Sequence, residues 1–229
     1  MSPGWRDMEQ RPRGSDPQRF ACALGARVAC LALLTSVEGV QAFTVAITPA
    51  APKTIFLQIG VGSFTGFYNS GGTPQNNATI NKESVAVAAA AVGNGTAQAM
   101  TTDSSQTRSF YDNFVFCSVP AQLYIGGFYR TTGAGAGTAN VTATLPVSLS
   151  DGAGDTIPFS QISWTSSGNG DGANPQPFPA GSFSGTTVVV GSIAQNQWAE
   201  SCWTFSYKNT VLPPAGTYTG RVIYTLTVP

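Results

Sequence analysis

The sequence predicts an all-β protein, a sandwich or a barrel of about ten short strands. Three observations carry that expectation. Apolar residues recur at every second position in many short segments, the period of a strand with one buried face. The segments are rich in aromatic and β-branched residues, which suit a pleated, half-buried surface. Gly and Pro, 26 and 15 of the 229 residues, punctuate them at roughly 8–12 residue intervals.

Residues 1–42 read as a secretory signal peptide. Arg6, Arg11, Arg13, Arg19 and Arg27 form a basic lead, 28–37 (VACLALLTSV) is a short apolar run, and Val40, Gln41 and Ala42 offer a site for cleavage after Ala42. Met8 is an alternative start to Met1. The apolar run is too short for a bilayer, which takes about 20 residues, so the mature chain is expected to have no membrane span. Its expected location is the periplasm, the cell surface or the medium.

Residues 43–229 are expected to form one β domain. The first strands are 43–48 (FTVAIT), with Phe43, Val45 and Ile47 on one face, and 55–61, with Ile55, Leu57, Ile59 and Val61 on one face. Pro49 and Pro52 separate them because proline gives no amide hydrogen to a ladder. Residues 62–77, rich in Gly, Ser and Asn, read as an ordered loop or a weak hairpin. A strand is expected at 84–88, a turn at Gly93, Asn94 and Gly95, and a loop over 97–109. Segments 110–117 (FYDNFVFC) and 121–130 (AQLYIGGFYR) are strand candidates divided by Pro120.

Residues 140–149 alternate with Val141, Ala143, Leu145, Val147 and Leu149 inward, and Pro146 marks an edge or a bulge. Strands follow at 157–165, 186–193 and 198–207, with a turn-rich stretch at 166–181. The longest alternating segment is the last, 216–228 (GTYTGRVIYTLTV). It places Tyr218, Gly220, Val222, Tyr224, Leu226 and Val228 on an apolar core and Thr217, Thr219, Arg221, Thr225 and Thr227 outward.

Composition narrows the function. From residue 43 onward the chain carries six basic and seven acidic side chains, about 7% charged against an ordinary level near 25%. No basic patch exists to neutralise a phosphate backbone, so nucleic acid is not an expected partner. The surface must be built from uncharged polar residues, which suits assembly or adhesion. Cys117 and Cys202 are expected to pair in an oxidising compartment, two separately buried thiols being the alternative.

Histidine is absent, which removes the Ser-His-Asp and Cys-His arrangements and histidine zinc sites. Asp151 with Asp155, and Glu200 beside Trp198, are the carboxylates that could serve a glycosidase. The first two sit in a Gly-rich turn, where Asp is favoured for backbone reasons, and Glu200 reads as an outward strand residue. Asn169, Gly170, Asp171 and Gly172 lack the further acidic ligands of a calcium loop and read as a turn. Trp164, Trp198, Trp203, Tyr124, Phe128 and Tyr129 could form a carbohydrate platform, although strand aromatics more often fill a core. No enzyme activity, metal or cofactor is expected.

Residues 215–228 (AGTYTGRVIYTLTV) resemble the C-terminal strand of bacterial fimbrial (pilus) subunits and of spore coat protein U-like domains. In both, a Gly-x-Tyr start leads into alternating apolar residues at the chain end. The resemblance implies an incomplete immunoglobulin-like β-sandwich, exported with a periplasmic chaperone and completed by a strand from an identical or related subunit. Phe43, Val45 and Ile47 are then the candidate donor strand, an ordinary first strand being the alternative. Those subunits tend to carry their disulfide near the N-terminus, whereas Cys117 and Cys202 lie in the second half of this chain. The expected function is that of a secreted or cell-surface structural or adhesive protein assembling by β-strand addition, or else a free-standing carbohydrate-binding module.

Overall fold

The computed structural model describes residues 53–60, 81–132, 137–172 and 174–228. The signal peptide expected over residues 1–42, the candidate donor residues Phe43, Val45 and Ile47, and the loop or hairpin expected at 62–77 lie outside the described residues. In chain order the strands are β1 (Ile55–Ile59), β2 (Glu83–Ser84), β3 (Gln98–Ala99), β4 (Thr101–Thr102), β5 (Leu123–Tyr129), β6 (Thr138–Thr144) and β7 (Ser148–Ser150). They continue with β8 (Thr156–Pro158), β9 (Ile162–Ser167), β10 (Gly181–Ser182), β11 (Thr187–Ala194), β12 (Gln197–Tyr207) and β13 (Ile223–Thr227). The helical elements among the described residues are two short 3-10 turns, Ala89–Ala91 and Phe159–Gln161. The protein is all-β.

The larger sheet runs in the order β1, β5, β12, β9, β10, with β3 also paired to β12. The smaller runs β11, β6, β13. Two-stranded pairs β2 with β4 and β7 with β8 complete the set. All pairings are antiparallel except that of β1 with β5, where Ile55 lies opposite Ile125 and Ile59 opposite Tyr129. Gly127 permits that close parallel approach, since a Cβ there would stand 2.0 Å from the Leu57 carbonyl oxygen.

The two main sheets share one apolar core. The larger contributes Ile55, Leu123, Ile125, Tyr129, Ile162, Trp164, Ala199, Trp203, Phe205 and Tyr207, and the smaller Ala139, Val141, Ala143, Val190 and Ile193. β12 lies at its centre because its long run of alternating large residues can be covered on both faces. Trp203 is fully buried, and its indole N–H donates to the Phe178 carbonyl at 2.9 Å, which meets the polar need of a buried tryptophan.

Several expected strands are shorter or absent. Segment 110–117 is a loop with one isolated bridge, Arg108 to Val115. Ser109 Oγ accepts from the backbone N–H groups of Tyr111 and Asp112, at 2.9 and 3.3 Å, and Asn113 takes a left-handed φ of 67°. These side-chain turns outcompete a ladder. Segment 140–149 divides at Pro146 into β6 and β7, leaving Val147 72% exposed. Segment 157–165 divides at the Phe159–Gln161 turn, and the 84–88 strand shrinks to β2. The loop expected over 97–109 contains β3 and β4.

The terminal strand keeps its parity and loses half its length. Tyr218, Val222, Tyr224 and Leu226 do face the core, but all four are half-buried, and Val228 is exposed. Before β13 the chain bridges to the other side at Thr219 and Ser150 and squeezes past Phe159, where a Cβ on Gly220 would stand 2.6 Å from the ring. The first half of the segment thus belongs to the β7 region and the second half to β6.

Candidate functional site

Two places combine chemistry with unusual packing. The first is the face of the larger sheet turned away from the shared core. Register sets Phe56 opposite Gly126, and Glu200 and Cys202 opposite Gly126 and Tyr124, so Phe56, Tyr124, Phe128, Trp198, Glu200 and Cys202 share this face. The 103–119 loop covers it with Phe110, Phe116 and Cys117. Phe110 meets Phe56 edge-on at 5.4 Å and Tyr124 at 5.1 Å, while Trp198 stacks on Phe128 at 6.0 Å. Cys117 and Cys202 form the expected disulfide, spanning 85 positions with their Cα atoms 5.5 Å apart.

Glu200, expected to point outward, is 8% exposed. Glu200 does lie on the face of β12 turned away from the shared core, but that face has a cover made of loop. The Glu200 carboxylate takes three donors, Ser109 Oγ at 2.7 Å on Oε1, and Tyr124 OH at 2.6 Å and Trp198 Nε1 at 3.0 Å on Oε2. Gly126 makes room for this, since a Cβ there would lie 2.7 Å from the Tyr124 hydroxyl. Burial pushes the Glu200 carboxyl above the ordinary carboxylate value, outweighing the hydrogen bonds from Ser109, Tyr124 and Trp198, and the charge of Asp112 adds to the rise. Tyr124 is pushed up too, by burial first and then by the charge of Glu200.

Asp112 from the loop and Asp171 from the turn after β9 bring carboxylate oxygens within 4.8 Å of one another and of Glu200. Three single oxygens, one side chain already accepting three hydrogen bonds, fall short of the six to eight that calcium takes. These residues are not assigned as metal ligands. The 169–172 segment is the expected turn, with Asn169 at φ 48° and its amide donating to the Phe116 carbonyl and to Gln122 Oε1. Asp151 and Asp155 also sit in their expected turn. Asp151 Oδ1 accepts from the N–H groups of Ala153, Gly154 and Asp155 at 2.8, 3.1 and 3.0 Å.

Of the six aromatics that could have formed a platform, Tyr124, Phe128, Tyr129, Trp164 and Trp203 are buried and Trp198 is half-buried. Ser109 and Tyr124 as partners of Glu200 were not foreseen. Neither lies at a spacing from residue 200 that sequence alone could connect.

The second place is a flank of the molecule. β1 ends one sheet and β13 ends the other, and the two strands lie close together. Leu57 and Ile59 on β1, and Val222, Tyr224 and Leu226 at β13, are only half-buried. Among the described residues, β1 pairs only with β5 and β13 only with β6. β13 carries no charge and no proline, the devices that ordinarily blunt a sheet edge. No family model, curated protein or solved structure matches this chain.

Proposed function

We propose that the chain is an exported structural or adhesive protein of the cell surface, an immunoglobulin-like sandwich completed by a strand from an identical or related subunit. The observation that carries this reading is the β13 flank. Its core-facing residues stop at half burial beside an edge with unblunted N–H and C=O groups, which is what an added strand would cover. The donor in this reading is 43–48, where Phe43, Val45 and Ile47 would pair along the edge of β13 opposite β6. Cleavage after Ala42 would place that segment at a new N-terminus, and a periplasmic chaperone would hold the flank until assembly. The sparse charge of residues 43–229 supports close packing of copies, since few like charges oppose it.

The test is export of the full chain from a Gram-negative host, with the processed mass and the size in solution measured together. A chain beginning at Phe43 that forms oligomers stable to dilution, lost in the Val45→Asp, Ile47→Asp double variant, supports the reading. A monomer with one cooperative unfolding transition overturns strand addition.

A further inference from the structure

The described chain begins at Lys53, beside the flank that an added strand would cover. Lys53 forms an ion pair with Asp103, and its carbonyl accepts from Ser104 Oγ. Thr54 and Ile55 follow at 5% exposure each, so the chain is fixed from its first described residues onward. Asp103 in turn accepts from the Lys82 N–H at 2.7 Å and donates its own N–H to the Lys82 carbonyl at 3.1 Å. Next to Lys82 is Glu83 of β2. Burial and then the charge of Glu83 push the Tyr224 hydroxyl above its ordinary value, so Glu83 stands near β13. β1 itself lies close to β13. The root of the 43–52 arm and the open edge of β13 are therefore neighbours on one flank.

We infer that strand addition at this flank closes on itself, as a reciprocal pair in which each of two copies gives its 43–48 segment to the other. The inference rests on the reading that 43–48 is the donor. Residues 49–52 join that segment to Lys53, and four residues span at most about 14 Å. A copy that receives the strand must hold its β13 edge within that reach of the donor's Lys53. Its own Lys53 lies beside its own β13, so it is carried up to the donor's flank in the same step. The second arm then finds an open edge within the same reach, and the contact closes about a two-fold axis. An open filament needs the donor root and the acceptor edge at separate ends of the molecule, and here they share one.

Proline and charge both favour exchange between copies. Pro49 follows the donor segment and Pro52 precedes Lys53. Each fixes its own φ and pushes the residue before it into extended backbone. A short, extended link opposes the reversal that an arm would need to lie along its own β13, and short hinges of this kind promote swapping. The charges around the root are Lys53 and Lys82 against Glu83 and Asp103. Two copies facing each other there meet without net charge.

The experiment measures the molar mass of the full chain after export and processing, by light scattering over a wide range of concentration. Expected is a discrete species of twice the chain mass that does not grow with concentration and becomes monomeric in the Val45→Asp, Ile47→Asp double variant. Growth into longer species overturns the closed pair and leaves strand addition standing. A monomer, or a dimer that survives the double variant, overturns both. A second variant carries about ten Gly and Ser residues inserted between Ala50 and Ala51, a link long and flexible enough for each arm to reach its own flank. Expected is a shift from dimer to monomer, and a dimer undiminished by the insertion overturns the inference.

Discussion

One face of β12 gives Ala199, Trp203, Phe205 and Tyr207 to a core shared by two sheets, whereas the other gives Trp198, Glu200 and Cys202 to a loop. The first face is sealed by regular structure, and shape and dispersion are enough to hold it. The second is sealed by a segment with few ladder bonds of its own, which is pinned by a disulfide and by the hydrogen bond from Ser109 to a buried carboxylate. The face covered by strands buries no carboxyl group, while the face covered by the loop buries one and supplies it with three donors. The two faces should therefore fail differently, the first by losing the whole fold and the second by releasing the loop.

The largest effect is expected at Trp203→Ala. Truncating a buried tryptophan costs about 3–5 kcal/mol. The upper end applies because the Phe178 carbonyl also loses its indole donor. Denaturant unfolding should show the loss as one shifted transition in every probe, since both sheets meet at this ring. A change confined to the loop-covered face would break the comparison.

Next comes the Cys117→Ala, Cys202→Ala double variant. Chain entropy assigns about 4.5 kcal/mol to a closed loop of 85 positions. The expected signature is local as well as global. Hydrogen exchange should rise over 103–119 well above its rise in β5 and β9, the neighbours of β12 within its sheet. Uniform loss of protection would mean that the loop is integral to the main core.

The sequence made one of these faces plain and hid the other. Alternation set Val141 and Ala143 of β6 inward, and aromatic or β-branched content between turn residues marked the segments that hold β5, β9, β11 and β12, because each strand's character is fixed by its own residues. Glu200 shows the limit. Alternation tells which residues share a face, but whether that face meets solvent depends on a loop some 90 positions away, joined by Ser109 and Cys117. The disulfide was legible only because two cysteines have one way to pair. Asn209 was not legible at all. It is fully buried at φ 57°, accepts from the Gly93 N–H at 2.9 Å and donates to the Ala91 carbonyl at 2.8 Å, fastening the 91–96 turn to the end of β12. Nothing in the alternation distinguishes it from any other polar residue after a strand.

β13 shows the converse, a face read correctly and a depth read wrongly, and it supplies the smallest effect. Leu123 on β5 is 1% exposed, whereas Leu226 is half-buried at an edge. Leu123→Ala should cost about 2–5 kcal/mol with its cavity. Leu226→Ala should cost about 1 kcal/mol, since half of roughly three methylene equivalents leaves contact and the edge can relax into water. Measured on the dissociated chain, a wide gap between the two variants is expected. Measured on an oligomer, the gap should narrow, because an added strand would bury Leu226 as deeply as Leu123. A gap that stays the same in both states would mean that the half-buried row at β13 is its finished state, and strand addition at that flank would have nothing left to complete.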